Sequence, residues 1–584
     1  MEKEEKQDIM RHSMSHVLAK AVGLLFKDVK YSIGPAISDG FYYDFDISVS
    51  ITPEDFDKID QKMREIINAN QDFVRKEISR AEAIKLFNDQ PYKLELIKEL
   101  PEDEVITIYY LGDDWFDLCR GPHIENTKML RGFAFKLNRV SGAYFKGDEK
   151  NKMLQRVYVY GFDDKQKLKG HLFMIEEAKK RDHRKIGPEL DLFMLHETAP
   201  GMPYWLPNGL KVFNILVDFW RQEHKKRGYE EFSAPQLNSS ELWKTSGHWE
   251  HYKEDMFIVK ELDGTEYALK PMSCPSAINI YQRKLRSYKE LPLRFSDIDV
   301  LHRNEKSGQL NGLFRVRMFR QDDSHNFIAE NQIKSEIKDI LEITERFYSI
   351  FGLEYTLTLS TRPESFLGEI EVWNKAEDEL KHVLDEVCGK GKYNINEGDG
   401  AFYGPKIDIH MKDCLGRRWQ MGTIQLDFQL PLRFDLTYTD NESNKKVPII
   451  VHRVVYGSLE RFIGILIEHF AGEFPFWLSP VQVGIVPVME NHNKYAKKVC
   501  DELEKSGIRC EINTKDTGMG KKVNEFRTQK MPYTLILGDK EAAEKSVSIK
   551  IRGGKQINDI KLKDFIKACK QMNDKKSLQL CEQF

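Results

Sequence analysis

The chain has 584 residues, 41% hydrophobic and 31% charged, with 89 basic and 92 acidic side chains giving a net charge of −3. This fits a soluble globular protein of three or four domains and excludes binding to nucleic acid through bulk charge, so any such partner must meet local patches. Eight cysteines without disulfide-like spacing point to a reducing compartment, and the charged start MEKEEKQDIMRHS lacks a signal-peptide apolar stretch. The longest apolar runs, near Ile463 to Ile467, are too short to span a bilayer, so a cytoplasmic protein with no membrane association is expected.

In chain order, residues 1–160 read as an α+β unit. A helix is predicted from Asp8 to Phe26, then a turn at Ile33-Gly34-Pro35, an aromatic strand FYYDFDI and an amphipathic segment from Pro53 to Asn70. Residues 164–184 predict a charged linker helix with a solvated face. Residues 190–478 alternate strands and helices with many Gly and Pro turns. After a boundary near Pro480, VQVGIVPV, a helix over 492–506, IRCEI, a second helix and YTLILGD alternate as a small α/β domain.

Two segments carry chemistry. From Leu301 to Phe327, Arg303, Arg315, Arg317 and Arg320 alternate with Glu305, Asp322, Asp323 and His325. Leu313, Phe314, Val316, Met318 and Phe319 predict a β-ribbon whose turn comes from Ser307, Gly308, Asn311 and Gly312. Arginine forks match phosphate geometry, so this is either a polyphosphate site or a solvated, salt-bridged hairpin. Past Val451, Leu459, Phe462, Ile463, Leu466, Ile467 and Phe470 form one helical stripe. Arg461 lies nearly opposite, and Gly457 and Gly464 beside it are expected to let a ligand approach the backbone. In the first unit, His12 and His16 share a helix face and Cys119-Arg-Gly-Pro-His123 follows; on these residues alone the set reads as readily as a zinc site as not.

HRNE around Arg303 with FRVRMF resembles motif 2 of class II aminoacyl-tRNA synthetases, Gly457 to Arg461 resembles motif 3, and Tyr229 to Pro235 resembles motif 1, whose proline sits at a dimer interface. KPMSCP, RQDDSH, GAFYGPKID, QMGTIQLDF and VHRVVYGSLERF together resemble the threonyl-tRNA synthetases over essentially the whole chain. The resemblance implies an editing domain over 1–163, a linker helix over 164–184, a catalytic domain with an antiparallel sheet over 185–478, and an α/β anticodon-binding domain over 479–584. It implies ligation of L-threonine to tRNA(Thr) with ATP and Mg²⁺, as a homodimer.

By that resemblance Arg303 contacts the α-phosphate and Arg461 the γ-phosphate, Arg315, Gln420 and Thr423 belong to the ATP site, and Phe319 stacks on adenine. Lys406 joins Arg303 and Arg461 among the catalytic residues. Met272, Gln321, Asp323, Tyr403, Gln425 and Ser458 form the amino-acid pocket, and Cys274, His325 and His452 ligate one Zn²⁺. Three protein ligands leave zinc open to threonine, whose hydroxyl valine lacks, whereas an apolar pocket separates such isosteres by only ~100-fold. Serine also carries a hydroxyl, so a second, hydrolytic site is expected. The resemblance assigns it to His12, His16, Tyr43, Lys93, Asp117, Cys119 and His123, positioning tRNA and water without a metal.

The departures from the family are also informative. A small domain that often precedes the editing domain is expected to be absent, because His12 is almost at the start. Met318 stands where glycine is common, which is expected to reshape the adenine slot. Among anticodon-reading positions Asp516, Asn524 and Lys550 replace asparagine and arginines while Glu541 and Arg552 are kept, with Lys521, Lys522 and Arg527 nearby, so anticodon recognition is expected to be altered but retained. The competing reading, an inactive tRNA-binding or regulatory paralogue, predicts loss of some of Arg303, Arg461, Cys274, His325 or His452; all are present.

Overall fold

The computed structural model describes residues 3–584, which divide into two compact units, one up to residue 176 and one over 177–584. In the first unit α1 (Lys3–Leu25) precedes β1 (Gly40–Asp46), α2 (Phe56–Asn68), β2 (Phe73–Ile78), α3 (Pro91–Glu99), β3 (Ile106–Leu111), β4 (Phe116–Leu118), β5 (Ala134–Tyr144) and β6 (Met153–Phe162). β1, β6 and β5 run antiparallel in a five-stranded sheet, and β2, β3 and β4 form a second, three-stranded one. Met14, Val17, Leu18, Ala21 and Val22 of α1 pack on the first sheet and on α2. Arg11, Ser13, Ser15, His16 and Lys20 are buried on the same helix, so α1 is enclosed almost all round, which a soluble helix does only when its polar groups find partners.

α4 (Lys165–Arg181) buries none of its residues, and the division between units falls within it. In the second unit come α5 (His183–Glu189), α6 (Pro207–Lys226), β7 (Glu230–Glu231), α7 (Cys274–Gln282), β8 (Leu293–Asp297), β9 (Val300–His302), β10 (Met318–Arg320) and β11 (Asp323–Ile328). They are followed by α8 (Ile333–Ser349), β12 (Glu354–Ser360), β13 (Asn394–Asn396), β14 (Lys406–Lys412), β15 (Arg418–Asp427), β16 (Ile449–Val454) and α9 (Leu459–His469). The main sheet has eight strands in the order β7-β8-β11-β16-β15-β14-β12-β13, antiparallel except at its two edges. Of the expected stripe, Leu459, Phe462, Ile463, Leu466 and Ile467 are buried and Phe470, just past the helix, is partly buried. Glu460, Gly464, Ile465 and Glu468 are buried too, so this helix is sunk in the core with carboxylates on its other faces.

The ribbon differs from expectation. Only Val300–His302 pairs with Met318–Arg320, and residues 303–317 form a long connection with a short 3₁₀ turn at Ser307–Gln309. Leu313, Phe314 and Val316 are buried there without strand pairing, and Asp323–Ile328 belongs to the main sheet instead.

The C-terminal residues form a five-stranded sheet, β18-β17-β19-β20-β21, from β17 (Val483–Pro487), β18 (Cys510–Ile512), β19 (Tyr533–Leu537), β20 (Ser546–Ile551) and β21 (Gln556–Lys561). β17 runs parallel to β18 and β19, connected through α10 (Asn493–Lys505) and α11 (Met519–Thr528), while β20 and β21 add an antiparallel hairpin and α12 (Leu562–Lys575) closes the chain. Among the described residues no helix is long and apolar enough to cross a membrane.

Candidate active site and hydrolytic cluster

A cavity of about 340 Å³ opens where the 303–317 connection, β15 and the start of α9 meet. Arg303, Arg315, Phe319, Gln321, Gln420, Thr423, Ser458 and Arg461 all line it, together with Phe314, expected only as a ribbon residue, and Trp419, which the sequence did not single out. The Arg303 guanidinium lies 5.2 Å from the Phe319 ring centre, and Arg315 is paired to Glu305 at 2.7 Å. Arg461 donates through Nε to the Phe314 carbonyl at 2.9 Å and has no ion pair among the described residues. Burial lowers its pKa, and the charges of Arg303 and Arg315 lower it further. Three converging cations that repel one another make a site for a polyanion.

Two buried carboxylates fix the strand and helix that carry these arginines. Asp322 accepts from the backbone N–H of Val455 and Gly457, and Glu460 accepts from the N–H of Arg320 at 2.8 Å. Burial pushes both acids up to about 7, a cost the backbone bonds oppose. Gly457 lines the cavity, while Gly464 packs on Leu313 and Phe314. A Cβ on Gly457, at φ +73, would meet the Met421 carbonyl at 2.3 Å, and one on Gly464 would meet Phe314 at 3.1 Å. Met318 pairs with His302 and is not on the cavity wall.

Lys406 stands one strand away from the wall. Its Nζ is 3.1 Å from Asp408, which also accepts from Gln420 at 2.6 Å, Thr423 at 3.2 Å and Ser360 at 2.8 Å. Asp408 is thus the hub that joins Lys406 to the two wall residues. The signal for it was the alternation Lys406-Ile407-Asp408 on one strand.

Cys274, His325 and His452 come together in the core with ligand atoms within 4.8 Å of one another. Cys274 is the first residue of α7, while His325 and His452 are directly opposed on β11 and β16. His325 is fully buried and neither ring nitrogen has a hydrogen-bond partner. Burial, then the neighbouring His452 and Arg453 charges, hold it well below the usual imidazole range. His452 Nε2–H donates to Asp427 Oδ2 at 2.9 Å. Burial alone would lower it, but Cys274 and Asp427 hold it up at about 10. A neutral imidazole with two orphaned nitrogens beside a thiol and a carboxylate-anchored imidazole fits a metal with three protein ligands, and the Cys/His/His donor set suits zinc. Asp427 was not singled out from the sequence; its other oxygen accepts from the N–H of Gln429 and Leu430.

The expected pocket residues surround this set. Tyr403 donates to Gln425 at 3.1 Å, leaving Gln425 Nε2 buried without a partner, and Met272 packs on the cluster around Cys274. Asp323 Oδ2 is 3.8 Å from His325, and burial raises Asp323 to about 6. Asp297, also missed in the sequence, is buried beside it and pushed up by burial and by Asp323, with one oxygen unpartnered.

In the first unit His12, His16, Cys119 and His123 present ligand-type atoms within 4.8 Å of one another. Cys119 Sγ lies 3.4 Å from His12 and 3.3 Å from His123, and receives the Gly121 N–H. Burial lowers all three imidazoles, His123 to about 2, and raises the Cys119 thiol to about 12. These groups are therefore neutral at pH 7, and Cys119 is a thiol rather than a nucleophilic thiolate. Next to them Asp117 binds Tyr43 and Lys93, each at 2.5 Å.

The anticodon-reading positions are dispersed differently. Asp516 and Asn524 are exposed, and Lys550 is half-buried on β20. Glu541 is spent on the Gly538 N–H and the Ser548 hydroxyl. Arg552 Nη1 donates to the Phe474 and Lys530 carbonyls. Lys522 is buried against the Pro487 carbonyl, which leaves Lys521 and Arg527 as the exposed cations of α11.

Three family models match: "tRNA synthetase class II core domain (G, H, P, S and T)" over 257–470, "Anticodon binding domain" over 482–572, and "Threonyl and Alanyl tRNA synthetase second additional domain" over 106–158. Threonine–tRNA ligase of Clostridium tetani is 51% identical over 96% of this chain and 88% of its own length. That of Caldanaerobacter subterraneus is 51% identical over 97% and 87%. A crystal structure titled as the RNA-binding domain of threonyl-tRNA synthetase from Cryptosporidium parvum matches with TM-score 0.65 and 42% identity, over 67% of this chain and 98% of that one. Half of all positions identical across nearly the whole length, with the arginine cavity inside the matched core, is what common descent produces, and the chain belongs to the threonine–tRNA ligase family.

Proposed function

We propose that this protein attaches L-threonine to tRNA(Thr) through a threonyl-adenylate and hydrolyses Ser-tRNA(Thr) at the His/Cys cluster of its first unit. The observation that carries the first reaction is the convergence of Arg303, Arg315 and Arg461 on one cavity, next to the buried Cys274, His325 and His452 set. ATP enters as its magnesium complex, and the three guanidiniums neutralise its phosphates while Phe319 meets the adenine. The threonine carboxylate attacks the α-phosphorus and pyrophosphate leaves; a hydroxyl of the tRNA terminal ribose then attacks the threonyl carbonyl and AMP leaves. No covalent nucleophile is required, because positioning and charge neutralisation lower the barrier. Lys406, held by Asp408, adds positive charge near the reacting carboxylate, and Asp323 accepts from the amino group. Cys274, His325 and His452 would hold zinc, which supplies an open position for the amino and hydroxyl groups of threonine and so disfavours valine. Tyr403, Gln425, Gln321, Met272 and Ser458 enclose the remainder of the amino acid.

In the hydrolytic site a neutral imidazole among His12, His16 and His123 takes a proton from the water that attacks the seryl ester carbonyl. The ribose oxygen leaves and is reprotonated from the imidazolium, and Cys119 stays a hydrogen-bonding thiol rather than a nucleophile. Tyr43, Lys93 and Asp117 hold the aminoacylated end. The first unit up to residue 163 is assigned to editing, 164–184 to the linker, 185–478 to catalysis and 479–584 to the anticodon, in a cytoplasmic homodimer. ATP–pyrophosphate exchange with threonine, serine and valine, with and without zinc chelation, tests the reading. Threonine-dependent exchange that falls on chelation is expected; exchange with serine or valine but not threonine would overturn it.

A further inference from the structure

His183 begins α5, in a stretch where the sequence shows only a charged linker, yet it is 1% exposed. Its Nε2 accepts the backbone N–H of Leu313 at 3.0 Å, so that nitrogen carries no proton, and Nδ1–H donates to Glu468 Oε1 at 2.7 Å. Both bonds exist only in this tautomer. The ring lies 4.1 Å from the Phe314 ring, centre to centre. Gly312, at φ +51, admits it: a Cβ there would meet His183 Nε2 at 2.2 Å. Arg184 reaches the same turn through the Asn311 side chain.

The turn so held feeds the ATP cavity. Phe314 places its carbonyl on Arg461 Nε, and Arg315 follows it on the cavity wall. Arg461 and Glu468 both belong to α9, so the helix grips the turn twice, once directly and once through His183. Glu468 is fixed in turn by Arg417, whose guanidinium lies 5.4 Å from the Phe314 ring centre.

We propose that His183 is a positioning residue for ATP: it anchors the Asn311–Arg315 turn so that the Phe314 carbonyl holds Arg461 and Arg315 stands beside the triphosphate. The inference rests on the ATP-site reading above, but not on the identity of the amino acid. Loss of the anchor leaves the buried Leu313 N–H unpaired, removes the imidazole bond to Glu468, whose Oε1 keeps only the His183 backbone N–H, and frees the turn, which predicts about tenfold weaker ATP binding. The test uses the full chain as wild type, His183→Ala, His183→Gln and Gly312→Ala. Equilibrium dialysis with Mg·ATP, which needs no amino acid, is the first readout, and threonine-dependent ATP–pyrophosphate exchange is the second. The expected result is about tenfold weaker ATP binding and raised ATP KM in His183→Ala and Gly312→Ala, threonine KM within about twofold, and partial recovery in His183→Gln, whose side-chain carbonyl still accepts the Leu313 N–H. If His183→Ala does not fold, Gly312→Ala and His183→Gln decide by the same readouts. ATP affinity unchanged in the folded variants, or threonine and ATP KM rising together, would overturn the inference. ATP binding that falls as expected in a protein with no threonine exchange supports the inference and refutes the threonine assignment instead.

Discussion

Asp427→Asn isolates the contribution of a carboxylate that touches neither substrate nor, as proposed, the metal. Asp427 Oδ2 meets His452 Nε2 at 2.9 Å, and Oδ1 accepts from the N–H of Gln429 and Leu430. The amide is isosteric and its oxygen keeps the two backbone bonds, so the loop after β15 should not move. What is lost is one charge-assisted bond to the imidazole, since an amide NH₂ facing an imidazole N–H puts two donors together. Such bonds contribute about 1.5–3 kcal/mol, which converts to roughly 10- to 100-fold in zinc affinity, the size seen when partners of metal-ligating histidines are removed. Competition with a chromogenic chelator measures it directly, and threonine-dependent exchange should return toward wild type at saturating zinc. Zinc affinity within twofold of wild type would refute the argument, as would exchange lost even when zinc is saturating, because Asp427 would then act through something other than His452.

Cys119→Ala is expected to accumulate Ser-tRNA(Thr) while threonine activation stays normal; unchanged Ser-tRNA hydrolysis would remove Cys119 from the hydrolytic site. Burial lowers His12, His16 and His123 below 6.5, so the base stays unprotonated as pH falls through that value, and Ser-tRNA hydrolysis should show no inflection there. Metal analysis of the purified protein should give one zinc per chain; two would mean that the His12, His16, Cys119 and His123 set binds metal as well. Charging of tRNA altered at the middle and third anticodon bases should lose efficiency, and no penalty at either base would sink the proposal that this domain reads them.

The parts of the site visible in the sequence were those whose chemistry is local. Arg303 and Arg315 stand within one charged segment that pattern marked as a possible phosphate site, and the core stripe of α9 repeats at helical spacing, while the place of Phe319 at the adenine came from the resemblance. The metal set could not be located that way. His325 and His452 face each other only because β11 and β16 are sheet neighbours, and Cys274 reaches them from the start of a helix. Such a register is set by the whole core, so only the family resemblance brought these three together. Asp408, Asp427 and Asp297 went unremarked for the same reason: a carboxylate in a strand looks like any other until its buried partners are known.

His183 and Arg552 show how the same blindness misleads in opposite directions. His183 sits among lysines and arginines, where composition argues for solvent, yet the next turn of chain carries it into the core beneath Gly312. Arg552 matches a base-reading position, yet its guanidinium ties two backbone carbonyls together. A guanidinium carries five donors, and carbonyls that face inward need partners as much as a nucleic-acid base does. Where a buried carbonyl lies within reach it binds first, since leaving it unpaired costs more than the rim contact it would replace. Lys521 and Arg527 on α11 are exposed and carry no such internal bond, so charge reversal there is expected to weaken tRNA binding, while substitution of Arg552 is expected to lower stability. Weaker tRNA binding by an Arg552→Lys variant of unchanged stability would show the opposite division of labour.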